Sequence, residues 1–451
     1  MKHISYLLKN GMIINEGSRF QGDLIISGGV IDGIFPGGYQ DGEPGQYFRV
    51  IDLKGSILMP GVIDDQVHFR EPGLTHKAEI YSESRAAVAG GITSYMEMPN
   101  TIPNTTTQDL LQKKFDIAAE RSLANYSFYI GATNDNLDEL RATDPVNVCG
   151  VKVFMGASTG NMLVDNPTTL ENIFRQVSLP VAVHCEDETT IKSNLDAAKK
   201  IYGDHIPMFM HATIRSHEAC ERSSRTAIGL AEKFDTRLHL LHLSTANEIR
   251  LLNNDIPLHS KRITAEVCVH HLWFHIDDYA QKGSHIKWNP SIKYDNDRKA
   301  LMEALMEGFI DVVATDHAPH TLEEKNMSYA ECPSGAPMVQ HALPAMFTLA
   351  AKHNIPLEKL VELMCHNPAI CFNVKNRGFI REGYAADLVV VAPGKQKPVT
   401  RESLYYKCGW SPLEDYALEA AVEYTFVNGH LVYDNGRFDE TKKGVALQFS
   451  R

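Results

Sequence analysis

The sequence predicts an α/β chain: a (β/α)8 TIM barrel with a small composite β domain formed by both chain termini. Three observations predict it. Eight short apolar runs alternate with helical patterns through the middle of the chain, the pattern of a parallel barrel. Short strands with turn signals fill the first 55 residues. The same texture returns near the far end, so the two ends suit one small sheet. The expected division is 1–55 and 375–451 for the composite β domain and 56–374 for the barrel.

The first segment reads as strands at 5–8, 22–26, 28–31 and 50–52, with loops at Gly37-Gly38 and Gly42-Glu43-Pro44-Gly45. The eight candidate barrel strands are 62–69, 93–98, 127–131, 150–155, 180–184, 237–243, 263–269 and 311–315. Helical patterns lie between many of them, such as 77–89, closed by Gly90-Gly91, and 216–233. Late strands are expected at 386–391 and across 424–433, where Asn428-Gly429 between two apolar runs signals a hairpin.

Composition narrows the function. The chain has 451 residues, 43% apolar and 22% charged, the balance of a globular protein rather than a disordered or fibrous one. Its 44 Lys and Arg face 56 Asp and Glu, a net charge of −12. That balance argues against a nucleic-acid partner, which needs a basic surface, and against docking on anionic lipid. A small-molecule substrate is expected instead. Eight cysteines include no C-x-x-C pair, and Cys365 and Cys371, the nearest two, fit no common zinc spacing. They read as buried thiols in a reducing compartment. The N-terminal apolar stretch is cut by Lys9 and Asn10, too early for a signal peptide. No apolar run approaches the ~20 residues that cross a bilayer. The expected location is the cytoplasm.

In a barrel, chemistry sits at the C-terminal ends of the strands. The first candidate strand leads into Gln66-Val67-His68-Phe69-Arg70-Glu71-Pro72-Gly73, and the fourth carries Lys152. The fifth ends in His184-Cys185-Glu186-Asp187 and the sixth in His242-Leu243-Ser244. The eighth gives Ala314-Thr315-Asp316-His317-Ala318-Pro319-His320. Alternation along each strand aims His68, Lys152, His184, His242 and Asp316 at one end of the barrel. Imidazole and carboxylate donors suit zinc. A buried lysine loses its proton easily and can take up carbon dioxide as a carbamate, an anionic ligand able to bridge two metals. Asp316 is then placed to act as a general base. Each residue alone has a plainer reading: a structural histidine, a salt-bridged lysine, a loop-capping aspartate. The coincidence of five such groups on five strand ends favours a metal site. Arg70, Asn100 and His320 also follow strand ends, and a guanidinium with amide and imidazole donors suits a carboxylate. An Arg70 paired with a neighbouring acid, and an Asn100 making a turn beside Pro99 and Pro103, fit the sequence equally well.

These residues carry a resemblance. The run His68-Phe69-Arg70-Glu71-Pro72-Gly73, the turn Met98-Pro99-Asn100-Thr101 and the stretch Ala314 to His320 resemble the signatures of the amidohydrolase superfamily, and within it the dihydroorotase family. Asn367-Pro368-Ala369 and Gly383-Tyr384-Ala385-Ala386-Asp387-Leu388 resemble that family's return into the β domain. The resemblance covers the whole chain. It implies reversible cyclisation of N-carbamoyl-L-aspartate to dihydroorotate in pyrimidine synthesis, by metal-activated hydroxide with an aspartate as general acid and base. It assigns that role to Asp316 and the substrate to Arg70, Asn100, Asn289 and His320. The metal ligands it implies are His68, Lys152, His184, His242 and Asp316, with one or two zinc ions and a carbamylated Lys152. Ser334-Gly335-Ala336-Pro337 aligns as a backbone contact to the ring, and Thr159 with a loop over the substrate. A homodimer and an association with aspartate carbamoyltransferase stay open.

One departure stands out. The family usually has His-x-His at the first strand, and here Gln66 replaces the first histidine. A neutral amide oxygen is a poorer zinc ligand than imidazole, so the site shared by His68 and Asp316 is expected to be the weaker. The departure keeps two alternatives in view: a non-catalytic partner of aspartate carbamoyltransferase, and another cyclic-amide hydrolase such as an allantoinase or hydantoinase. Retention of the carboxylate-binding set argues against a hydantoinase, whose substrate ring needs no such set.

Overall fold

A computed structural model describes residues 5–40, 48–156 and 161–451. The chain opens with β1 (Ser5–Asn15), β2 (Ser18–Ser27) and β3 (Val30–Pro36), an antiparallel meander, followed by β4 (Phe48–Asp52) and β5 (Ile57–Pro60), both parallel to β1. Alternation buries one face of these strands, with Leu8, Ile13, Leu24, Ile26 and Leu58 in one apolar cluster.

The chain then enters the barrel. Its strands are β6 (Val62–Val67), β7 (Ile92–Glu97), β8 (Asn125–Gly131), β9 (Gly150–Phe154), β10 (Val181–His184), β11 (Leu238–Leu240), β12 (Ile263–Cys268) and β13 (Val312–Ala314). They pair in parallel, in chain order. The ring closes where Val67 bridges His317 and the His68 N–H donates to the His317 carbonyl at 2.7 Å. All eight expected strands are present, and several are shorter than expected. His242 (φ 40°) and Asp316 (φ 43°) leave the extended region, so β11 and β13 stop before them.

Helices cover the outside. The helix Ile80–Ala89 ends at Gly90, and His217–Phe234 starts at Ser216, whose hydroxyl accepts from the Ala219 N–H. The barrel interior is filled, not hollow. Ile63, Met96, Tyr129, Ala182 and Val312, one from each of five strands, form an apolar cluster with Phe372 and Phe449. That plug leaves the other end of the barrel for chemistry.

The C-terminal strands β14 (Leu388–Pro398), β15 (Ala417–Val427), β16 (His430–Asp434) and β17 (Arg437–Phe438) complete the first sheet. The two chain ends meet where β14 pairs antiparallel with β5, Leu388 opposite Pro60. The expected hairpin turn is present, with Asn428 and Gly429 both at positive φ, 51° and 72°. That handedness matches the strand twist. All eight cysteines carry free thiols and seven are buried. No helix among the described residues is long and apolar enough to cross a membrane.

Asp387 locks the sheet to the barrel. Its buried carboxylate accepts from the Asn428 N–H at 2.7 Å and from Asn125 Nδ2, at the start of β8, at 3.0 Å, and it pairs with Arg377. Removing one partner of a buried ion pair leaves the other uncompensated, at about 3–5 kcal/mol. Asp387→Ala should therefore lower the urea midpoint clearly. A midpoint equal to that of the unaltered protein would show that this junction does not hold the sheet.

Candidate active site

One cavity of about 360 Å³ opens at the C-terminal ends of the barrel strands. Gln66, His68, Arg70, Asn100, Lys152, His184, His242, Asn289, Asp316 and His320 all line it, so the structure brings together every residue singled out in the site reading. Ser334 and Gly335 line it as well. Thr159 lies outside the described residues.

The strand ends aim these groups, and the backbone bends to do so. Arg70, His242 and Asp316 all adopt positive φ, at 69°, 40° and 43°. Non-glycine residues held there store strain that surrounding structure must support. The Thr315 hydroxyl and N–H, both donating to Asp64, brace the turn before Asp316. Glu266 Oε1 accepts from the His242 N–H at 3.0 Å.

Two pairs of groups face each other in a way that calls for a cation. His68 Nδ1 donates to Asn100 Oδ1 at 2.7 Å, which leaves Nε2 as a bare lone pair 3.1 Å from Asp316 Oδ1. His184 Nε2 lies 2.9 Å from Glu186 Oε2 without a well-formed hydrogen bond, and its other nitrogen, Nδ1, is 3.0 Å from His242 Nε2. Burial, the largest influence on each, lowers the pKa of His68, His184 and His242, so the rings stay neutral. Neutral imidazoles and a carboxylate with lone pairs converging at these distances are a donor set that fits a divalent metal. A carboxylate close to a ligand histidine is a common arrangement around metals.

Lys152 points into the same cavity from β9 and is 1% exposed. Burial pulls its pKa down to about 8, although Asp316 and Glu266 oppose the shift. Gln66 turns its amide nitrogen toward Asp316 Oδ1 at 3.2 Å, while its oxygen lies 3.9 Å from Cys268 Sγ.

The other wall is cationic. Arg70 is buried, and its Nε donates to the Pro319 carbonyl at 3.1 Å. Its Nη2 lies 3.0 Å from His320 Nε2. That ring is already engaged, with Nδ1 3.0 Å from Lys77 Nζ and Nε2 3.0 Å from the Ser334 carbonyl. Burial first, then Arg70, holds His320 well below its usual pKa. Among the described residues no carboxylate pairs with Arg70, and burial pulls its guanidinium to about 10. A desolvated guanidinium beside neutral donors is an anion-binding arrangement.

Several residues here escaped the sequence reading. Arg215 lines the cavity and pairs with Glu186, which in turn holds His184. His211 Nε2 faces the Trp288 carbonyl at 2.7 Å and Asn289 Oδ1 at 3.1 Å, and its Nδ1 lies 2.8 Å from the Tyr329 hydroxyl. Glu186 had a signal, two residues past His184 on the same strand end. Arg215 and His211 had none, because they come from a connecting segment without periodicity.

Comparison with known proteins follows the same line. Residues 57–432 match the amidohydrolase family. A dihydroorotase of Methanosarcina acetivorans is 32% identical over 438 residues, covering 94% of this chain and 91% of the relative. An allantoinase of Streptomyces avermitilis is 30% identical and covers 98% of both. The solved L-hydantoinase of Arthrobacter aurescens superposes with a TM-score of 0.89 at 27% identity, covering 96% of this chain and 97% of that one.

The depressed Lys152 ammonium yields a test. A neutral amine that added carbon dioxide would release one proton, so any carbamate on Lys152 should build up as pH rises through about 8. At constant dissolved carbon dioxide, ¹³C-labelled bicarbonate should give a carbamate NMR signal that grows over that range and is missing from Lys152→Arg. A signal retained in Lys152→Arg would place the reactive amine elsewhere.

Proposed function

The chain belongs to the amidohydrolase family, and from that membership we propose that it is a dihydroorotase, interconverting dihydroorotate and N-carbamoyl-L-aspartate in pyrimidine synthesis. Relatives bearing that name at 32% and 33% identity over most of the chain support the reading. The observation that carries it is the buried Arg70 guanidinium, with which no carboxylate among the described residues forms an ion pair. Among cyclic amides, dihydroorotate brings the missing carboxylate, whereas dihydrouracil and hydantoin bring none.

The residues then divide the work. Arg70, Asn100 and His320 hold the substrate carboxylate, and Asn289 contacts the ring. Fixing the carboxylate turns binding energy remote from the reacting bond into orientation. Asp316 takes the proton of the attacking water and delivers it to the ring nitrogen as the amide bond breaks; ring closure runs the reverse path. Lys152 as its carbamate, His184 and His242 are the set that would hold one metal ion. The carbamate, His68 and Asp316 are the set for a second, with Gln66 beside them. Such ions supply Lewis-acid polarisation of the ring amide and make water more acidic. Gln66 presents its amide nitrogen to Asp316 and so acts as a positioning residue there. The second set is therefore the weaker one, and a zinc titration of chelator-treated protein should resolve it as the lower-affinity step.

The allantoinase relative makes a second cyclic amide worth testing. The protein, supplied with zinc and bicarbonate, should be assayed on dihydroorotate, dihydrouracil and allantoin. Dihydroorotate should give the highest kcat/KM. Arg70→Ala should cost about 1.5–3 kcal/mol, roughly 10- to 100-fold, on dihydroorotate alone, the value of a hydrogen bond to a charged group. Asp316→Asn should lose on the order of 10²–10⁴-fold, as expected of a proton-transfer group. Equal turnover of dihydrouracil, or an Arg70→Ala variant as active as its parent, would remove the carboxylate from the proposal.

A further inference from the structure

A second cluster of ligating groups lies inside the barrel, outside the lining of the catalytic cavity. Asp65 comes from β6, His239 from β11 and Glu266 from β12, and none is more than 2% exposed. His239 Nε2 lies 3.0 Å from Asp65 Oδ2 and 3.5 Å from Glu266 Oε2. One donor atom from each lies within 4.8 Å of the others. Among the described residues, both Asp65 oxygens, Glu266 Oε2 and His239 Nε2 lack a hydrogen bond of good geometry.

The far sides of the same residues are held in place. His239 Nδ1 is 2.7 Å from the Thr264 hydroxyl, Glu266 Oε1 accepts from the His242 N–H, and the Tyr129 hydroxyl donates to the Asp65 carbonyl at 3.0 Å. His239 and Glu266 are thus anchored from behind, and the sides facing the cluster carry the atoms without a well-formed hydrogen bond. The cluster adjoins the apolar plug: the His239 ring lies 5.1 Å from that of Phe372, and His239 stands opposite Ala182 in the sheet register.

We infer that Asp65, His239 and Glu266 form a further divalent-metal site, separate from the catalytic cavity. Two carboxylate oxygens and an imidazole nitrogen are a normal set for zinc or manganese. Bonds of ~2.0–2.2 Å in tetrahedral geometry place neighbouring donors roughly 3.3–3.6 Å apart. The two separations measured from His239, 3.0 and 3.5 Å, lie close to that range. Charge points the same way. A divalent ion would offset negative charge on the buried Asp65 and Glu266 carboxyls, which is costly to leave uncompensated.

The proton is the competing occupant. Burial disfavours an imidazolium at His239, yet Asp65 and Glu266 outweigh it and raise the pKa to about 9. The ion would tie three strands together and, through Glu266, fix the backbone at His242. Its role is structural, and it does not depend on which cyclic amide the enzyme hydrolyses.

Crystals of the whole protein grown with excess zinc separate the two occupants. An anomalous difference map at the zinc edge should show a peak bounded by Asp65, His239 and Glu266, in addition to density in the catalytic cavity. No peak at the three residues under those conditions overturns the inference, whatever the catalytic cavity holds. Solution metal analysis gives a second arm. Asp65→Asn keeps the side-chain shape and should carry one zinc fewer per chain than the parent. His184→Ala, which removes a catalytic ligand, should keep the interior ion. A folded Asp65→Asn protein with an unchanged zinc content also overturns the inference.

Discussion

Desolvation at the mouth of the barrel is the constraint on which the rest depends. Water kept away from Lys152, His68, His184 and His242 holds them toward their neutral forms, and neutral nitrogen is what binds metal or adds carbon dioxide. The same exclusion leaves the Arg70 guanidinium charged but short of partners. A carboxylate within reach of Arg70 would satisfy it permanently and close the site to substrate. The cationic wall and the neutral wall thus face each other across a cavity that fits a small anionic ring.

That environment is built by the fold. The apolar plug around Ile63, Met96, Tyr129 and Val312 fills the barrel and confines chemistry to the open end. The functional groups stand where strands stop, at backbone angles that strands do not use. His242 and Asp316 turn inward because they have left the ladder, and Glu266 and Asp64 brace the two turns. Among the described residues, the terminal sheet contributes none of those lining the cavity. It is clamped to the barrel through Asp387, Asn125 and Asn428, and so supports the scaffold from outside.

Much of this was legible in the sequence. Eight strands, the hairpin at Asn428-Gly429 and the chain-end pairing all followed from period-two patterns and turn residues, which are local signals. The cavity-lining groups were legible because barrel geometry converts "end of strand" into "wall of the site". What escaped was non-local. Arg215 and His211 reach the cavity from a connecting segment, and their partners Glu186 and Asn289 are 29 and 78 positions away. Strand ends were overextended at 237–243 and 311–315 because positive φ at His242 and Asp316 leaves no mark on the hydrophobic pattern. Asp65, His239 and Glu266 were invisible as a group, since a register irregularity in β6 between Asp64 and Val67 rearranges which side chains face inward.

The central claim is that Arg70 waits for a substrate carboxylate. A crystal structure of the zinc-loaded Asp316→Asn protein with bound dihydroorotate tests it most directly. The structure predicts the carboxylate within hydrogen-bond distance of Arg70, flanked by Asn100 and His320, with the ring amide turned toward Lys152. A bound ring whose carboxylate points to solvent, with Arg70 still on Pro319 and His320 alone, would contradict it.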